Sequence, residues 1–393
     1  MRRGIWFPVM MLAVSCTSLT GTPSTTAASR GRATSNTTTS SSVPESSSGR
    51  PSETSAVGEA PLTIPENEFP RSPLAFRDLP AVVWTGTRLV VWGGFSQPPY
   101  ISRQQARSDG ASFDPLSNTW QLLPDAPIQG GRARATMSGR AVVVMNTLGE
   151  TALLDDSLQS WTRLPTISPR PDFHDQPAIA SLDGLVIAFA STATYVLQLG
   201  QELWRSCAGP PSGEVIAVDA VTIDNAVVVA LALGSTKGLP VFTFDPRQCA
   251  WSEPRVLPVA SDNIAVAAGD RAVVVAAASL AGHTLVTIRF DQLSDRAIAW
   301  SPTIEAMPLN SMISKPIPSV VALPQSVVAD FGFAGIIIKD AHGIRAVNPP
   351  TRQDDGTWAE PPLRTSWRAT TRIADRAAVL TNSAGSLTLF LAR

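Results

Sequence analysis

Arg88-Leu-Val-Val-Trp-Gly-Gly94 is followed, after a spacer, by Ala111-Ser-Phe-Asp-Pro-Leu-Ser-Asn-Thr-Trp120-Gln-Leu-Leu-Pro124. The first stretch is an apolar run that ends at a glycine pair. The second stretch contains a run that ends in Phe-Asp-Pro, then a short polar turn, and then a tryptophan that begins a third run. Asp, Asn and Gly at such positions favour tight turns between antiparallel strands. The stretch therefore predicts a meander of antiparallel β-strands.

Copies of this unit fill the rest of the sequence. A turn followed by a continuous apolar run occurs seven times, and the runs begin at Leu89, Ala141, Leu185, Ala226, Ala272, Ser326 and Ala377. A tryptophan recurs later in six of the units, at Trp120, Trp161, Trp204, Trp251, Trp300 and Trp358. Repeats of roughly 40–50 residues are typical of propeller blades. Strands that are apolar on both faces must be covered on both faces, as happens between neighbouring blades. The sequence thus predicts an all-β, seven-bladed β-propeller of four-stranded antiparallel blades.

The ends of the repeat region predict how the ring closes. The last unit has no tryptophan strand, whereas Phe76-Arg-Asp-Leu-Pro80 copies Trp161-Thr-Arg-Leu-Pro165 near the other end of the region. We therefore expect residues 74–79 to form the outermost strand of the last blade, so that an N-terminal strand closes the ring.

The first unit also resembles a known family. Trp84-Thr-Gly-Thr-Arg-Leu-Val-Val-Trp-Gly-Gly94, with Phe113-Asp-Pro and Trp120, resembles the kelch repeat of exported bacterial propellers in the galactose-oxidase-like superfamily. The resemblance implies ligand contacts on the face that carries the loops from second to third strand and the links between blades. Kelch-type oxidases would require a copper site with tyrosine ligands, but the chain has only Tyr100 and Tyr195. No cofactor is expected.

The N-terminal sequence predicts export. Arg2 and Arg3 precede a short apolar segment, and Ala13-Val-Ser-Cys16 then places small residues before a cysteine. This resembles a bacterial lipobox in which Cys16 is lipidated, and an ordinary secretory signal is the alternative. We expect residues 1–16 to be the signal and lipobox, 17–60 a disordered Ser/Thr-rich linker, and 61–393 the propeller. The predicted location is the outer side of the bacterial cell membrane, with a secreted protein as the alternative.

The number and placement of the charged residues indicate which partners the protein could bind. The net charge is −1 and only 16% of residues are charged, which argues against nucleic-acid binding. Arginines cluster in the loops of the expected ligand face and would bind an anionic or sugar-acid ligand through paired hydrogen bonds. The alternative is that they are solvated loop residues. The candidate ligand-binding residues are Tyr100, Arg103, Arg107, Arg132, Arg134, Asp172, His174 and Arg368.

The sequence contains no recognisable catalytic constellation. His174, His283 and His342 fall in different units without metal-ligand spacing, so no metal site is expected. The tryptophans are expected to pack between blades, with a sugar-stacking row as the alternative. Cys207 and Cys249 flank the tryptophans of adjacent units and form a disulfide or remain free, which spacing alone does not decide.

The function hypothesis follows from these features. We expect a monomeric, non-enzymatic binding scaffold at the cell envelope that takes a protein, an anionic molecule or a carbohydrate on its loop face. Its only expected membrane contact is the N-terminal anchor. The alternative is an enzyme that acts on a carbohydrate or cell-wall polymer from the same face.

Overall fold

The computed structural model describes residues 70–96, 105–173, 176–233, 238–269, 272–279, 282–294, 297–306, 318–331, 336–341, 343–347, 351–352, 358–359, 368–373, 376–383 and 386–392. Every regular element in these ranges is a β-strand, as the all-β class requires. Over the same ranges there is no helix of the length and apolarity needed to cross a membrane.

Six sheets contain four or five antiparallel strands each, and we number them blades 1 to 6 in chain order. Blade 1 contains β1 (Ala81–Trp84), β2 (Leu89–Trp92), β3 (Gly110–Asp114) and β4 (Thr119–Leu122). Blade 2 contains β5 (Arg134–Ser138), β6 (Ala141–Met145), β7 (Thr151–Leu154) and β8 (Trp161–Leu164). Blade 3 contains β9 (Ala178–Leu182), β10 (Leu185–Phe189), β11 (Ala193–Gln198) and β12 (Arg205–Ala208).

The remaining strands form three further blades and then two smaller sheets. Blade 4 contains β13 (Val215–Ile223), β14 (Ala226–Leu233), β15 (Leu239–Asp245), β16 (Ala250–Trp251) and β17 (Arg255–Leu257), and the last two both pair with β15. Blade 5 contains β18 (Asn263–Gly269), β19 (Ala272–Ser279), β20 (Gly282–Ser294) and β21 (Ala297–Ala306). Blade 6 contains β22 (Ser319–Ala322), β23 (Val327–Asp330), β24 (Ile336–Asp340) and β25 (Gly343–Val347). A two-stranded ribbon, β26 (Thr351–Arg352) and β27 (Trp358–Ala359), precedes a three-stranded sheet of β28 (Arg368–Ile373), β29 (Arg376–Ser383) and β30 (Ser386–Ala392).

The continuous apolar runs of the sequence are the second strands of the sheets. They correspond to β2, β6, β10, β14, β19, β23 and β29. Both faces of β2 are covered, because Leu89 and Val91 pack in one cluster with Ile373 of β28, while Val90 packs in another with Val142 of blade 2. Burial of alternate side chains against two neighbours is what makes these strands apolar throughout. The architecture is a β-propeller of small antiparallel sheets.

The expected number of blades is wrong. Among the described residues the structure contains six blades rather than the expected seven, and the three-stranded sheet β28–β30 lies between blade 6 and blade 1, with β28 beside both β22 and β1. The sequence count relied on apolar second strands, which are buried between sheets and therefore carry a strong pattern. Outer strands are half exposed and carry a weak one, and the last sheet was expected to take its fourth strand from residues 74–79, which form no strand.

The expected closing strand is also wrong. Residues 74–79 form no strand, and Asp78 makes an isolated bridge to Phe95. Leu74 is buried in the cluster that contains Ile373, so this segment packs beside the last sheet as a link into β1. The comparison with 161–165 placed Arg77 on an outer strand, but its side chain is only 2% exposed. A similarity over five residues was too short to determine whether this segment pairs as a strand with the last sheet.

Four tryptophans connect each blade to the preceding segment. Their indole N–H groups donate to backbone carbonyls: Trp161 to Pro124 (2.8 Å), Trp204 to Pro165 (2.7 Å), Trp251 to Ala208 (3.0 Å) and Trp120 to Pro70 (2.9 Å). In blades 2 to 4 the acceptor ends or closely follows the fourth strand of the preceding blade. Their rings also pack on neighbours, such as Trp251 on Phe244 with centroids 4.8 Å apart. These four tryptophans therefore serve packing, as expected.

Candidate functional site

The glycine pair, Gly93 and Gly94, lies at the base of the longest loop of blade 1 and holds it in place. Gly93 has a φ of +70°, and a Cβ there would lie 2.7 Å from the Cα of Gly130 in the link to blade 2. The Gly93 N–H donates to the backbone carbonyl of Asp109 (3.0 Å), and the Gly94 N–H donates to the backbone carbonyl of Gly130 (2.7 Å). Only glycine permits both this backbone conformation and this close approach. The pair thus joins the loop to the blade link.

In blade 2 a side chain contacts the link that precedes the blade. Asn146 stands where blade 1 has its glycines, and its amide nitrogen donates to the Gln129 carbonyl (2.8 Å) and to the Glu150 carboxylate (2.8 Å). Glu150 in turn accepts from Arg163 (2.7 Å). Asn146 therefore holds this part of blade 2 to the preceding link, whereas the glycine pair holds the loop of blade 1 to the following link.

An ion pair between buried Arg77 and partly exposed Asp109 ties the segment before β1 to the same loop. The Arg77 guanidinium donates two hydrogen bonds to the Asp109 carboxylate, one of them 2.8 Å long. The hydrogen bond from Arg77 holds the pKa of Asp109 below its ordinary value, and the nearby charge of Arg107 acts in the same direction. Arg107 therefore faces a carboxylate at the base of the loop.

Asp78 is a buried carboxyl group beside this pair. It is 2% exposed, and its Oδ2 atom has no hydrogen-bond partner among the described residues. Burial raises the pKa of Asp78 to about 6, and the charge of Arg132 opposes that shift. The positive charge of Arg132 therefore partly stabilises the ionised form of Asp78.

On the loop face, the end of the propeller that carries the blade links, the mouth of the central channel contains a small cavity with both polar and apolar lining residues. We call it the channel-mouth cavity. It has a volume of about 40 Å³ and is lined by Arg134 of β5, Asp172 and Gln176 of the link before β9, Ser191, and Asn263 of β18. The Nε atom of Arg134 is buried without a hydrogen-bond partner among the described residues. Asp172 is exposed, and its carbonyl accepts from Ser191 Oγ (3.1 Å).

Polar side chains join the innermost strands below this cavity. The carboxylate of Asp219 in β13 accepts from the Ala220 N–H (3.0 Å) and from the Val266 N–H of β18 (2.8 Å). Burial raises the pKa of Asp219, and the charge of Arg134 opposes that shift. Thr222 Oγ1 donates to the Ser181 carbonyl of β9 (2.6 Å). Such bonds satisfy the free edges of the inner strands and make the channel wall rigid.

The structure brings together only part of the predicted ligand set. Arg134 and Asp172 line the channel-mouth cavity, whereas Arg107 and Arg132 do not line it. Arg368 begins β28. Tyr100, Arg103, His174 and Cys16 lie outside the described residues.

Sequence reasoning missed the buried charges. Arg77, Asp78, Asp109 and Asp219 were not singled out, although Asp219 carries the single charge in the otherwise apolar and Thr-containing run Val215–Ile223. A lone carboxylate in a strand that must be buried was the available signal, because such a group has to be hydrogen-bonded or charge-compensated.

Cys207 and Cys249 form a disulfide, with their Cα atoms 5.4 Å apart. The bond joins β12 of blade 3 to the turn before β16 of blade 4, which settles the two possibilities that spacing left open.

His283 is 2% exposed and packs edge-on against Phe331, and burial lowers its pKa. Within the described ranges no three His, Cys, Asp or Glu side chains are grouped so as to hold a metal ion.

A second concavity lies at the opposite end, the turn face, where hairpin turns join first to second and third to fourth strands. We call it the hairpin groove. It has a volume of about 820 Å³, and Leu185 and Val196 of blade 3 form its apolar floor. Arg247 of blade 4 reaches over it to pair with Asp183 (2.5 Å). No pattern in the sequence predicted this groove.

Comparison with known proteins supports the fold and nothing finer. No protein-family model matches the chain, and no curated protein matches it. A solved structure of Kuenenia stuttgartiensis hydrazine synthase matches with a TM-score of 0.54 at 13% identity, over 82% of this chain and 97% of that chain. Identity this low carries the fold alone. The kelch resemblance stays a prediction, and what the chain shares with solved proteins is the β-propeller architecture.

Proposed function

We propose that this protein is an exported propeller, tethered to the cell envelope, that binds an anionic ligand at its channel mouth and performs no reaction on it. One observation carries the proposal: Arg134 lies in the channel-mouth cavity with its buried Nε atom lacking an acceptor among the described residues. The positive charge of Arg134 at this cavity would pair with a carboxylate or a similar oxyanion.

The surroundings suit binding. Gln176, Ser191 and Asn263 add neutral polar groups around Arg134, and the bonds made by Asp219 hold the channel wall in place. A preformed site loses little entropy when the ligand arrives. The cavity is small, so it would take one acidic group of a ligand whose remainder lies across the loop face.

The location is part of the same proposal. Ala13-Val-Ser-Cys16 supports lipidation at Cys16, and residues 17–60 have the composition of a flexible linker. The disulfide between Cys207 and Cys249 supports an oxidising compartment, because structural disulfides persist mainly outside the cytosol.

The alternative is an enzyme that acts on a carbohydrate or a cell-wall polymer. Glycoside hydrolysis usually needs two carboxyl groups that flank the reacting bond. Asp172 is the one carboxylate among the described residues that line the cavity. Binding therefore has the stronger support, and incubation of the purified chain with cell-wall glycans, followed by mass spectrometry of released fragments, decides between the two classes.

A glycan array with uronic-acid and neutral oligosaccharides tests the binding proposal. We expect the full-length chain to bind acidic glycans, and Arg134→Ala to weaken that binding at least tenfold because it removes the paired hydrogen bonds. Arg140→Ala is the matched control, since Arg140 is an exposed arginine at the other end of blade 2. Absence of acidic binders, or an equal loss in the control, would reject the channel mouth as the site.

A further inference from the structure

The hairpin groove has an apolar floor and a charged rim. Leu185 and Val196 lie at its base, and the β11–β12 hairpin forms one side. The wall is held firmly, because Arg205 donates to the carbonyls of Pro246 and Arg247, and the nearby disulfide joins the two blades. The groove is therefore a preformed feature of the junction between blades 3 and 4.

The hairpin tip beside the groove exposes a large apolar side chain between opposite charges. Leu203 is 81% exposed, with Glu202 before it and Arg205 two residues after it. Within the described part of the chain Glu202 makes no ion pair, and the guanidinium of Arg205 contacts neutral carbonyls. The turn thus presents one negative charge and one apolar group, and Arg205, the first residue of β12, adds a positive charge that is held against blade 4.

Such a tip is complementary to itself when it is rotated by 180°. In a twofold arrangement the same patch of both subunits meets, so each residue contacts a different one across the axis. Glu202 of one copy would face Arg205 of the second copy, and the reverse pair would form on the other side. Leu203 of each copy would then rest on the floor of the other copy's groove.

We infer that the hairpin groove is the interface of a homodimer, in which each copy inserts Leu203 into the groove of the other. Charge complementarity selects a second copy over an unrelated partner, because the rim carries both halves of the required ion pairs. The interface is a single hairpin and groove, which places it at the low end of interface sizes, below about 1,200 Å², and predicts a weak dimer.

The dimer would have a consequence for binding. The groove lies on the turn face, so pairing there leaves the channel-mouth cavity of each copy accessible. Two binding sites on one envelope-attached particle raise the avidity for a polymeric ligand without any new contact. The dimer does not depend on the proposed function, since the interface can form whether or not the channel mouth binds a ligand.

Sedimentation velocity of the full-length chain in detergent, over roughly 5–200 µM, tests the interface. We expect a concentration-dependent dimer, and Leu203→Asp should raise its Kd at least tenfold because a charge would enter the apolar groove. Leu116→Asp is the matched control, because Leu116 is 76% exposed in the corresponding hairpin of blade 1. A chain that stays monomeric over this range, or an equal effect of both changes, would overturn the inference.

Charge reversal gives an independent readout. Glu202→Arg should weaken the dimer at least tenfold, since two arginines would face each other on both sides of the axis. The double change Glu202→Arg with Arg205→Glu restores opposite charges and should recover dimerisation, with thermal unfolding used to confirm that both variants are folded. Failure of the double change to recover a folded variant's dimerisation would contradict the proposed pairing.

Discussion

At the scale of single residues, the loop face of blade 1 contains buried charges that differ in their compensation. Arg77 donates two hydrogen bonds to Asp109, so the cost of removing the charge of Arg77 from water is largely offset. Asp78 has Arg132 nearby, but its Oδ2 atom has no hydrogen-bond partner among the described residues. An uncompensated carboxyl group favours its neutral form, which is why its pKa is raised.

Asp78 predicts a specific dependence of stability on pH. Its pKa rises from 3.8 to about 6 on folding, so the folded protein binds the proton more tightly than the unfolded chain does. The contribution of Asp78 to stability is therefore greatest below pH 4 and falls as the pH rises towards 6. Asp78→Asn removes this loss, and its advantage over the wild type should grow by up to about 3 kcal/mol between pH 4 and pH 7.

Urea unfolding at several pH values measures this difference. Asp156→Asn is the control, because Asp156 is an exposed carboxylate in the turn between β7 and β8. The control should leave the pH dependence unchanged. If Asp78→Asn were equally stable relative to the wild type at pH 4 and pH 7, the buried carboxyl group would not have the assigned pKa.

At the scale of elements, the blades are connected by a repeated set of contacts at their outer strands. The tryptophan of each of blades 2 to 4 donates to a carbonyl at or just after the end of the preceding blade's fourth strand, and the junction of blades 3 and 4 adds the disulfide, Arg205 and Arg247. Outer strands bury little apolar area, so these directed bonds determine how firmly they are held.

The disulfide at this junction should contribute measurably to stability. It closes a segment with a sequence separation of 42 residues, which restricts the unfolded chain. Replacing Cys207 and Cys249 together by Ala should lower the free energy of unfolding by about 2–4 kcal/mol. Guanidinium unfolding of the double variant checks this value, and reduction of the wild type by dithiothreitol should give a similar loss. An unchanged midpoint in both experiments would mean that the bond does not form.

At the scale of the whole molecule, the sequence joins a predicted signal and linker to a propeller whose first described strand begins at Ala81. The proposed lipid on Cys16 would hold the propeller at the membrane, while the composition of 17–60 would give it reach.

Membrane attachment should depend on one residue. In a bacterial host, Cys16→Ala should move the full chain from the detergent phase to the aqueous phase in a phase-separation assay, because no acyl chain can be added. Ser18→Ala is the control and should remain in the detergent phase. Equal partition of the two variants would exclude the lipid anchor and favour the secretory alternative.

The sequence by itself determined the β-propeller architecture and the positions of the second strands. Those strands are buried on both faces, and a burial requirement of that kind appears in every copy as an uninterrupted apolar run. It also determined the packing role of the tryptophans, since one residue type at one point of each repeat implies one repeated environment.

Only the tertiary structure decided the number of complete blades, the role of residues 74–79 and the composition of the candidate site. These depend on contacts between segments far apart in sequence, such as Trp120 with Pro70, Arg77 with Asp109, and Asp219 with Val266. The sequence predicted both Arg134 and Arg107 as ligand-binding residues. In the structure Arg134 lines a cavity, whereas the charge of Arg107 acts on the carboxylate of Asp109. The difference arises because hydrogen-bond partners are fixed by the arrangement of the blades, and local sequence carries no record of that arrangement.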